Sequence, residues 1–308
     1  MTINPPSSAG TAWFLNGISS LQTQQTEVEK ELSSGYQVQD ASDSPGQTPE
    51  LIDLGSTLAA VQTYQTNLTN VQAEADTADQ SIGSAISLIQ SAQTLAEEGA
   101  NSTSSASQRQ ILATQIQGIQ QQLVGIANTS VDGRYIFGGD QDQTAPYQYD
   151  SASATGVDQL NGSPASRVIE NTQGQAVYQS LTAQQIFDPV DSSGNPTANN
   201  TFAALQSLVT ALNANDAAGI SNTLTSLGAV STYVNQQQAY YGSAEDTITN
   251  EQNNASSQIT ALQVQIGGIR DTDTTQVATE LTQLSTDESA AYAAQAAVPT
   301  KSLFDYLG

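Results

Sequence analysis

Every seventh residue from Leu54 is apolar: Leu54, Val61, Leu68, Ala75, Ile82, Ile89 and Ala96. The positions three residues on are Thr57, Tyr64, Val71, Ala78, Ala85 and Ala92, all apolar except Thr57. A 3-4 alternation held over this length predicts one long helix, from about Thr48 to Glu98, with a coiled-coil seam. Pro49 falls in the first turn, where its missing N–H has no helical partner to lose. The second half repeats the pattern with Ile220, Leu227, Val234, Tyr241, Ile248, Ala255, Leu262 and Ile269. At about 1.5 Å per residue this predicts a rod of roughly 75 Å. Its companion positions are mixed: Leu224, Ser231, Gln238, Glu245, Gln252, Ile259 and Ile266. The two ends of this helix are therefore expected to pack more firmly than its middle.

Shorter seams complete the helical plan. Leu112, Ile116, Ile119, Leu123 and Ile126 predict a helix after a polar break at Gly99–Ser107, and Thr201–Asn213 reads as another. Phe14, Ile18, Leu21, Val28 and Leu32 predict a terminal helix from about Ala12 to Ser33, ended by Gly35. Val277, Leu281, Leu284, Ala291 and Val298 predict its counterpart, with Asp271 or Asp273 as N-cap and Pro299 as terminator. An apolar tail, Leu303-Phe304-Asp305-Tyr306-Leu307, follows.

Between Gly138 and Asn200 the helical period vanishes. Tyr135–Phe137, Tyr147–Tyr149, Arg167–Ile169 and Ala176–Tyr178 read as short strands between turn residues such as Asn161-Gly162 and Gly174. The fold expected is mainly α with a small β-rich inserted domain, both chain halves building a long helical-bundle or coiled-coil rod. The expected divisions are residues 1–47 (assembly helix and turn), 48–137 (rod), 138–200 (β-rich module), 201–269 (rod) and 270–308 (assembly helix).

Neither terminal helix has a partner nearby in sequence. Leaving its apolar face in water costs about 25 cal/mol per Å², so the two ends are expected to meet each other or other subunits. Ordering the backbone costs about 1–2 kcal/mol per residue, so pairing is expected to become favourable only with neighbours present. The candidate assembly residues are Phe14, Ile18, Leu21, Val28, Leu32, Val277, Leu281, Leu284, Val298, Leu303 and Leu307.

Composition narrows the chemistry. The 308 residues include no Cys and no His, 30 acidic and 6 basic residues, for a net charge of −24. Disulfides, thiolate or imidazole metal sites, and Ser-His-Asp or Cys-His catalysis are excluded. Six scattered cations cannot neutralise a run of phosphates, so no nucleic-acid partner is expected, and an anionic membrane surface would repel the chain. The start shows no basic flank with an apolar run, and no stretch approaches a membrane span. Asp140-Gln141-Asp142-Gln143-Thr144 resembles the opening of a calcium loop but lacks the glycine and the closing acid, and reads as a polar turn. Asp40, Asp43 and Glu50 read as solvated turn residues, and Tyr241 as core. No catalytic residue, metal or cofactor is assigned, and the chain is read as no enzyme.

The run Gly133-Arg134-Tyr135-Ile136-Phe137-Gly138-Gly139, continuing to Thr144-Ala145-Pro146-Tyr147, resembles the hook–filament junction family of bacterial flagella, also called hook-associated protein 3. So do Leu32-Ser33-Ser34-Gly35 with Asp40-Ala41-Ser42-Asp43-Ser44-Pro45, Asp271-Thr272-Asp273, and the ending Ser302-Leu303-Phe304-Asp305-Tyr306-Leu307. The chain departs from the family at Thr2-Ile3-Asn4, where a short basic stretch is usual, and at Tyr36-Gln37, where a basic residue usually follows the Ser-Gly turn. The resemblance implies an extracellular structural protein of the flagellum, exported by the flagellar apparatus without a cleaved signal peptide. It implies self-association in an adaptor ring, with hook-associated protein 1 on one side and flagellin on the other, and an export chaperone. Flagellin itself shares the helical plan and is the alternative; an acidic coiled-coil adhesin or secretion tip protein is a further one. Like-charged subunits should repel, so assembly is expected to be favoured by salt or mild acid.

Overall fold

The computed structural model describes residues 8–162, 164–171 and 173–297. The helices are α1 (Ser8–Ser34), α2 (Thr48–Ala100), α3 (Ala106–Ala127), α4 (Ala183–Phe187), α5 (Thr201–Asn213), α6 (Ala217–Arg270) and α7 (Thr274–Ala297). Six short strands lie between α3 and α4: β1 (Ser130–Val131), β2 (Arg134–Tyr135), β3 (Tyr147–Tyr149), β4 (Val157–Gln159), β5 (Val168–Glu170) and β6 (Ala176–Gln179). They pair as three separate antiparallel hairpins, β1–β2, β3–β4 and β5–β6. The architecture is mainly α with a small β-rich insertion. The chain divides into two compact units: Met1–Ala59 with Ile259–Gly308, and Ala60–Gln258.

In the unit Ala60–Gln258 the heptad seam of α2 is the core. Leu68, Ala75, Ile82, Ile89 and Ala96 are wholly buried, and Val71, Ala78, Ala85 and Ala92 are buried beside them. They share one cluster with Ile116 and Leu123 of α3, Leu205 and Leu212 of α5, and Ile220, Leu227, Val234, Tyr241 and Ile248 of α6. Small alanines alternate with branched residues along this seam, which lets helices approach closely without voids. The break before α3 is a capping box: the Ser105 side chain accepts from the Gln108 N–H, and the Gln108 side chain accepts from the Ser105 N–H. Arg109 is buried here, its Nε donating to the Gly99 carbonyl at 2.8 Å and a second nitrogen to Asn101 O at 3.2 Å. Its charge thus meets the carbonyl end of α2, where a cation is favoured.

The expected packing along α6 needs a correction. Its middle is firmly buried, with Val230, Val234, Tyr241, Ala244 and Ile248, whereas Ile259, Leu262, Ile266 and Ile269 are only half-buried. The middle is covered because the chain at Tyr178–Leu181 lies on it: the Leu181 N–H donates to the Tyr241 hydroxyl at 3.3 Å, and Tyr178 is itself buried. Val230 and Ala244, off the counted seam positions, supply the apolar contacts that the mixed companion row lacks.

The insertion differs in detail from its sequence reading. The strand expected at Tyr135–Phe137 is reduced to Arg134–Tyr135; Ile136 and Phe137 leave the hairpin to enter the core. Phe137, Phe187 and Phe202 follow one another edge-on or tilted, at 6.1 and 6.4 Å between rings, with Tyr147 5.2 Å from Phe202. β1, β4 and α4 carry too few residues to show a period.

In the other unit, α1 and α7 pack along each other, with Val28, Val277 and Leu284 buried between them and Leu21, Leu32 and Leu281 against these. The chain after α1 turns at Gly35, whose φ of +76° is a left-handed cap. Tyr36 then pairs in an isolated antiparallel bridge with Asp271, and the Gln37 N–H donates to Arg270 O at 2.9 Å. The Arg270 guanidinium lies 4.1 Å over the Tyr36 ring.

Candidate assembly surfaces

The α1–α7 pair forms because each helix has one narrow apolar stripe at 3-4 spacing and an otherwise polar face. Asp273 begins α7, its carboxylate accepting from the N–H groups of Thr275 at 2.9 Å and Gln276 at 3.2 Å. The Ser34 hydroxyl accepts from the Tyr36 N–H at 3.1 Å and closes α1. Toward the other end of the pair, Phe14 meets Tyr292 edge-on at 6.5 Å, and Gln22 donates to Glu288 at 3.1 Å.

Of the assembly residues named from sequence, Ile18, Val28, Val277 and Leu284 are buried, and Phe14, Leu21, Leu32 and Leu281 are half-buried. Val28, Leu21, Leu32, Val277, Leu281 and Leu284 come together in one cluster. Val298, Leu303 and Leu307 lie outside the described residues.

The sequence reading missed the apolar side chains that the chain leaves in water. Trp13 is 81% exposed, Ile52 68% and Val264 69%. The signal was present: Ile52 and Val264 each stand two residues from a seam position, Leu54 and Leu262, where a helix serving one neighbour has no use for a large apolar residue. A groove of about 740 Å³ runs beside Ile52, lined by Val38, Leu51, Gly55, Leu58 and Ile266.

The Arg134–Tyr147 run is built as an internal clamp. Arg134 Nε donates to Asp142 Oδ2 at 2.7 Å. Arg167, beside β5, pairs with Glu74 of α2 and approaches the same Asp142 oxygen at 3.8 Å. Burial pushes the Asp142 carboxyl up, but hydrogen bonds from Gln143 and Arg134 and the two guanidinium charges outweigh it and hold the group below the usual carboxylate range. The Asp140 carboxylate accepts from the Ala165 N–H at 2.9 Å. Gly139 (φ +60°) is required there, because a Cβ would meet the Ala165 carbonyl oxygen at 2.4 Å. The polar-turn reading of Asp140–Thr144 therefore matches what these carboxylates do. Among the described residues no group of three or more acidic side chains is placed to hold a metal ion. None of the described helices is long and apolar enough to cross a membrane.

Comparison with known proteins agrees with this layout. The N-terminal helical region of bacterial flagellin matches residues 11–142, and the C-terminal helical region matches residues 224–307. Flagellar hook-associated protein 3 of Escherichia coli (strain K12) is 29% identical over 203 residues, 64% of this chain and 63% of that protein. The Salmonella typhimurium protein of the same name is 28% identical over the same length, with the same coverage. The chain thus spans about 63% of the length of the curated relatives it matches. Among solved structures, a putative flagellar hook-associated protein from Vibrio parahaemolyticus shares the fold at TM-score 0.63 and 18% identity, covering 74% of this chain and 100% of its own. Flagellar hook-associated protein 3 from Legionella pneumophila does so at TM-score 0.59 and 12% identity, over 70% and 98%. With flagellin's helical regions matched toward both ends and these relatives sharing sequence and fold, the chain is a homologue of flagellar hook-associated protein 3.

Proposed function

We propose that this protein is a structural subunit of the bacterial flagellum, forming by self-association an adaptor ring that joins the hook to the flagellin filament. Hook-associated protein 1 is the partner on the hook side and flagellin the partner on the filament side. One observation carries this reading: two flagellin-like helical regions flank an inserted module, and over 203 residues the chain is similar to hook-associated protein 3. In this reading residues 1–47 and 270–308 are assembly segments, 48–137 and 201–269 the stiff helical part, and 138–200 the inserted module. The terminal seam residues, from Phe14 to Leu32 and from Val277 to Leu307, serve assembly, and the exposed Trp13, Ile52 and Val264 give a neighbour further apolar surface.

The protein works extracellularly, exported unfolded by the flagellar apparatus with an export chaperone and without cleavage of a signal peptide. A chain with no Cys threads without a cross-linked loop. Deletion of the gene should give non-motile cells that release hook and flagellin separately, restored by the intact gene. Motile cells with hook-attached filaments would overturn the proposal. The flagellin match also favours a second reading, a filament subunit. Purified protein that grows long homopolymers would select that reading; short or no polymers select the junction role.

A further inference from the structure

The dipeptide Asn-Gly occurs twice in the chain, at Asn16-Gly17 and Asn161-Gly162, in opposite settings. Asn16 is exposed, but Gly17 lies inside α1, where its N–H belongs to the helical ladder. Asn161 follows β4 and is only 3% exposed. Its Nδ2 is buried without a hydrogen-bond partner, and its Oδ1 accepts from Gln159 Nε2 at a long 3.4 Å. A buried amide with an unpaired donor is rare in folded chains and asks for an explanation. The next residue is as unusual. Among the described residues the Gly162 N–H donates to no backbone carbonyl. Gly162 is exposed to solvent, and nothing lies within 4 Å of where a Cβ would stand.

We propose that Asn161-Gly162 is a self-modifying site, where the chain slowly converts a buried amide into a carboxylate and so loosens the β3–β4 hairpin. The Gly162 backbone nitrogen loses its proton to hydroxide and attacks Asn161 Cγ. An N–Cγ bond forms, the Cγ–Nδ2 bond breaks, and Nδ2 leaves as ammonia with a proton from water. The product is a succinimide ring. Water then adds to either ring carbonyl and opens it to aspartate or to isoaspartate. In sum one water enters and one ammonia leaves, with no change of oxidation state. The attack is intramolecular, so orientation governs it rather than access of a reagent. The attacking nitrogen carries no hydrogen bond that must first break, glycine puts no side chain in its way, and no partner holds Nδ2 back. Gly17 in α1 would have to leave its helix first. The product carboxylate inherits a buried place with one long hydrogen bond, an unfavourable position for a charge. Its flank is the hairpin itself: Gln159 belongs to β4, and the Leu160 N–H bonds Pro146 O at 2.9 Å. The chemistry belongs to one chain and does not depend on the flagellar role.

The test incubates the full chain at about pH 8 and about 37 °C in water labelled with heavy oxygen, then maps its peptides by mass spectrometry. The Asn161 peptide should gain about 1 Da beyond the label and split into aspartate and isoaspartate forms. It should do so roughly tenfold faster than the Asn16 peptide, although Asn16 is the exposed one. In urea the two should react alike. Gly162→Ala, which crowds the attacking nitrogen, should slow the reaction roughly tenfold. Asn161→Asp should mimic the aged chain: amide hydrogen exchange at Tyr147–Tyr149 and Val157–Gln159 should quicken about threefold or more, while Leu68–Ile89 stays unchanged. An Asn161 that survives in the folded chain while reacting in urea, or that trails Asn16, overturns the proposal. So does labelled aspartate without isoaspartate, or an Asn161→Asp chain whose hairpin exchanges like the parent's.

Discussion

Tyr240 donates its phenolic hydrogen to the carbonyl oxygen of Gln179 at 2.6 Å. One residue on, the hydroxyl of Tyr241 accepts from the Leu181 N–H, and Tyr233 donates to Gln185 O at 2.6 Å. Three tyrosines of α6 thus bond to the backbone at the end of β6 (Gln179), at Leu181 in the link that follows, and within α4 (Gln185). Tyr240→Phe and Tyr233→Phe should each cost about 0.5–1.5 kcal/mol, the net worth of one hydrogen bond. Tyr241, itself buried, is the acceptor of the part-buried Leu181 N–H, so Tyr241→Phe leaves that donor unpaired and should cost more, about 1–3 kcal/mol. Urea unfolding of the three variants checks the order.

The Arg167–Glu74 pair ties β5 to α2, and both side chains are mostly covered, at 23% and 19% exposure. Replacing Arg167 by Met leaves Glu74 without its counter-charge and Asp142 with one cation fewer. Destabilisation of about 1–3 kcal/mol is expected, scaled down from a fully buried pair. Arg167→Met with Glu74→Leu should recover much of it, because removing both partners leaves no stranded charge. The folded-state value of Asp142 lies below its ordinary 3.8. Its stabilising contribution is therefore present above that value and lost as pH falls through the lower folded value. Asp142→Asn should lose that acid-side dependence in a stability–pH series.

Asp188 behaves oppositely. Its carboxylate accepts from the Tyr147 hydroxyl at 2.8 Å and from the Asn200 side chain, linking β3, the end of α4 and the cap of α5. Burial raises its carboxyl more than these two bonds lower it. Stability from this site should thus grow as pH falls through the raised folded value, toward and below 3.8. Asp188→Asn keeps an acceptor and should remove the pH dependence at small cost. Asp188→Ala leaves Tyr147 without its acceptor and should cost about 1–3 kcal/mol. Thermal melts at several pH values separate the two.

The long helices were legible because their signal is repeated: a period held over Leu54–Ala96 survives any single exception such as Thr57. Burial followed the same count, with Leu68, Ala75, Ile82 and Ile89 wholly enclosed. The hairpins were only half legible. Tyr147–Tyr149 and Ala176–Tyr178 carry aromatic and branched residues between turns, whereas Val157–Gln159 has one apolar residue and looks like loop. The clamp on Asp142 was not legible at all: Arg167 is 25 residues away and Glu74 is 68, and nothing local ties them. The terminal seam was legible as apolar spacing, yet which face of the unit stays open depends on tertiary cover, so Ile52 and Val264 were passed over.

Those two residues separate folding from assembly. Ile52 and Val264 are large, apolar and mostly in water, so exchanging either for a polar residue takes almost no buried surface from the chain. Substitutions at such sites usually change stability by no more than about 0.5 kcal/mol. Ile52→Asp and Val264→Asp should therefore melt like the parent. If a neighbouring subunit covers this face, the same changes bury an unpaired carboxylate, a cost of several kcal/mol at each repeated contact. Cells carrying either variant should export the protein normally yet lose spreading in soft agar, while Ile52→Val and Val264→Ile retain it. Full motility with both aspartates in place would show that this face stays in water in the flagellum, leaving assembly to Trp13 and the α1–α7 seam.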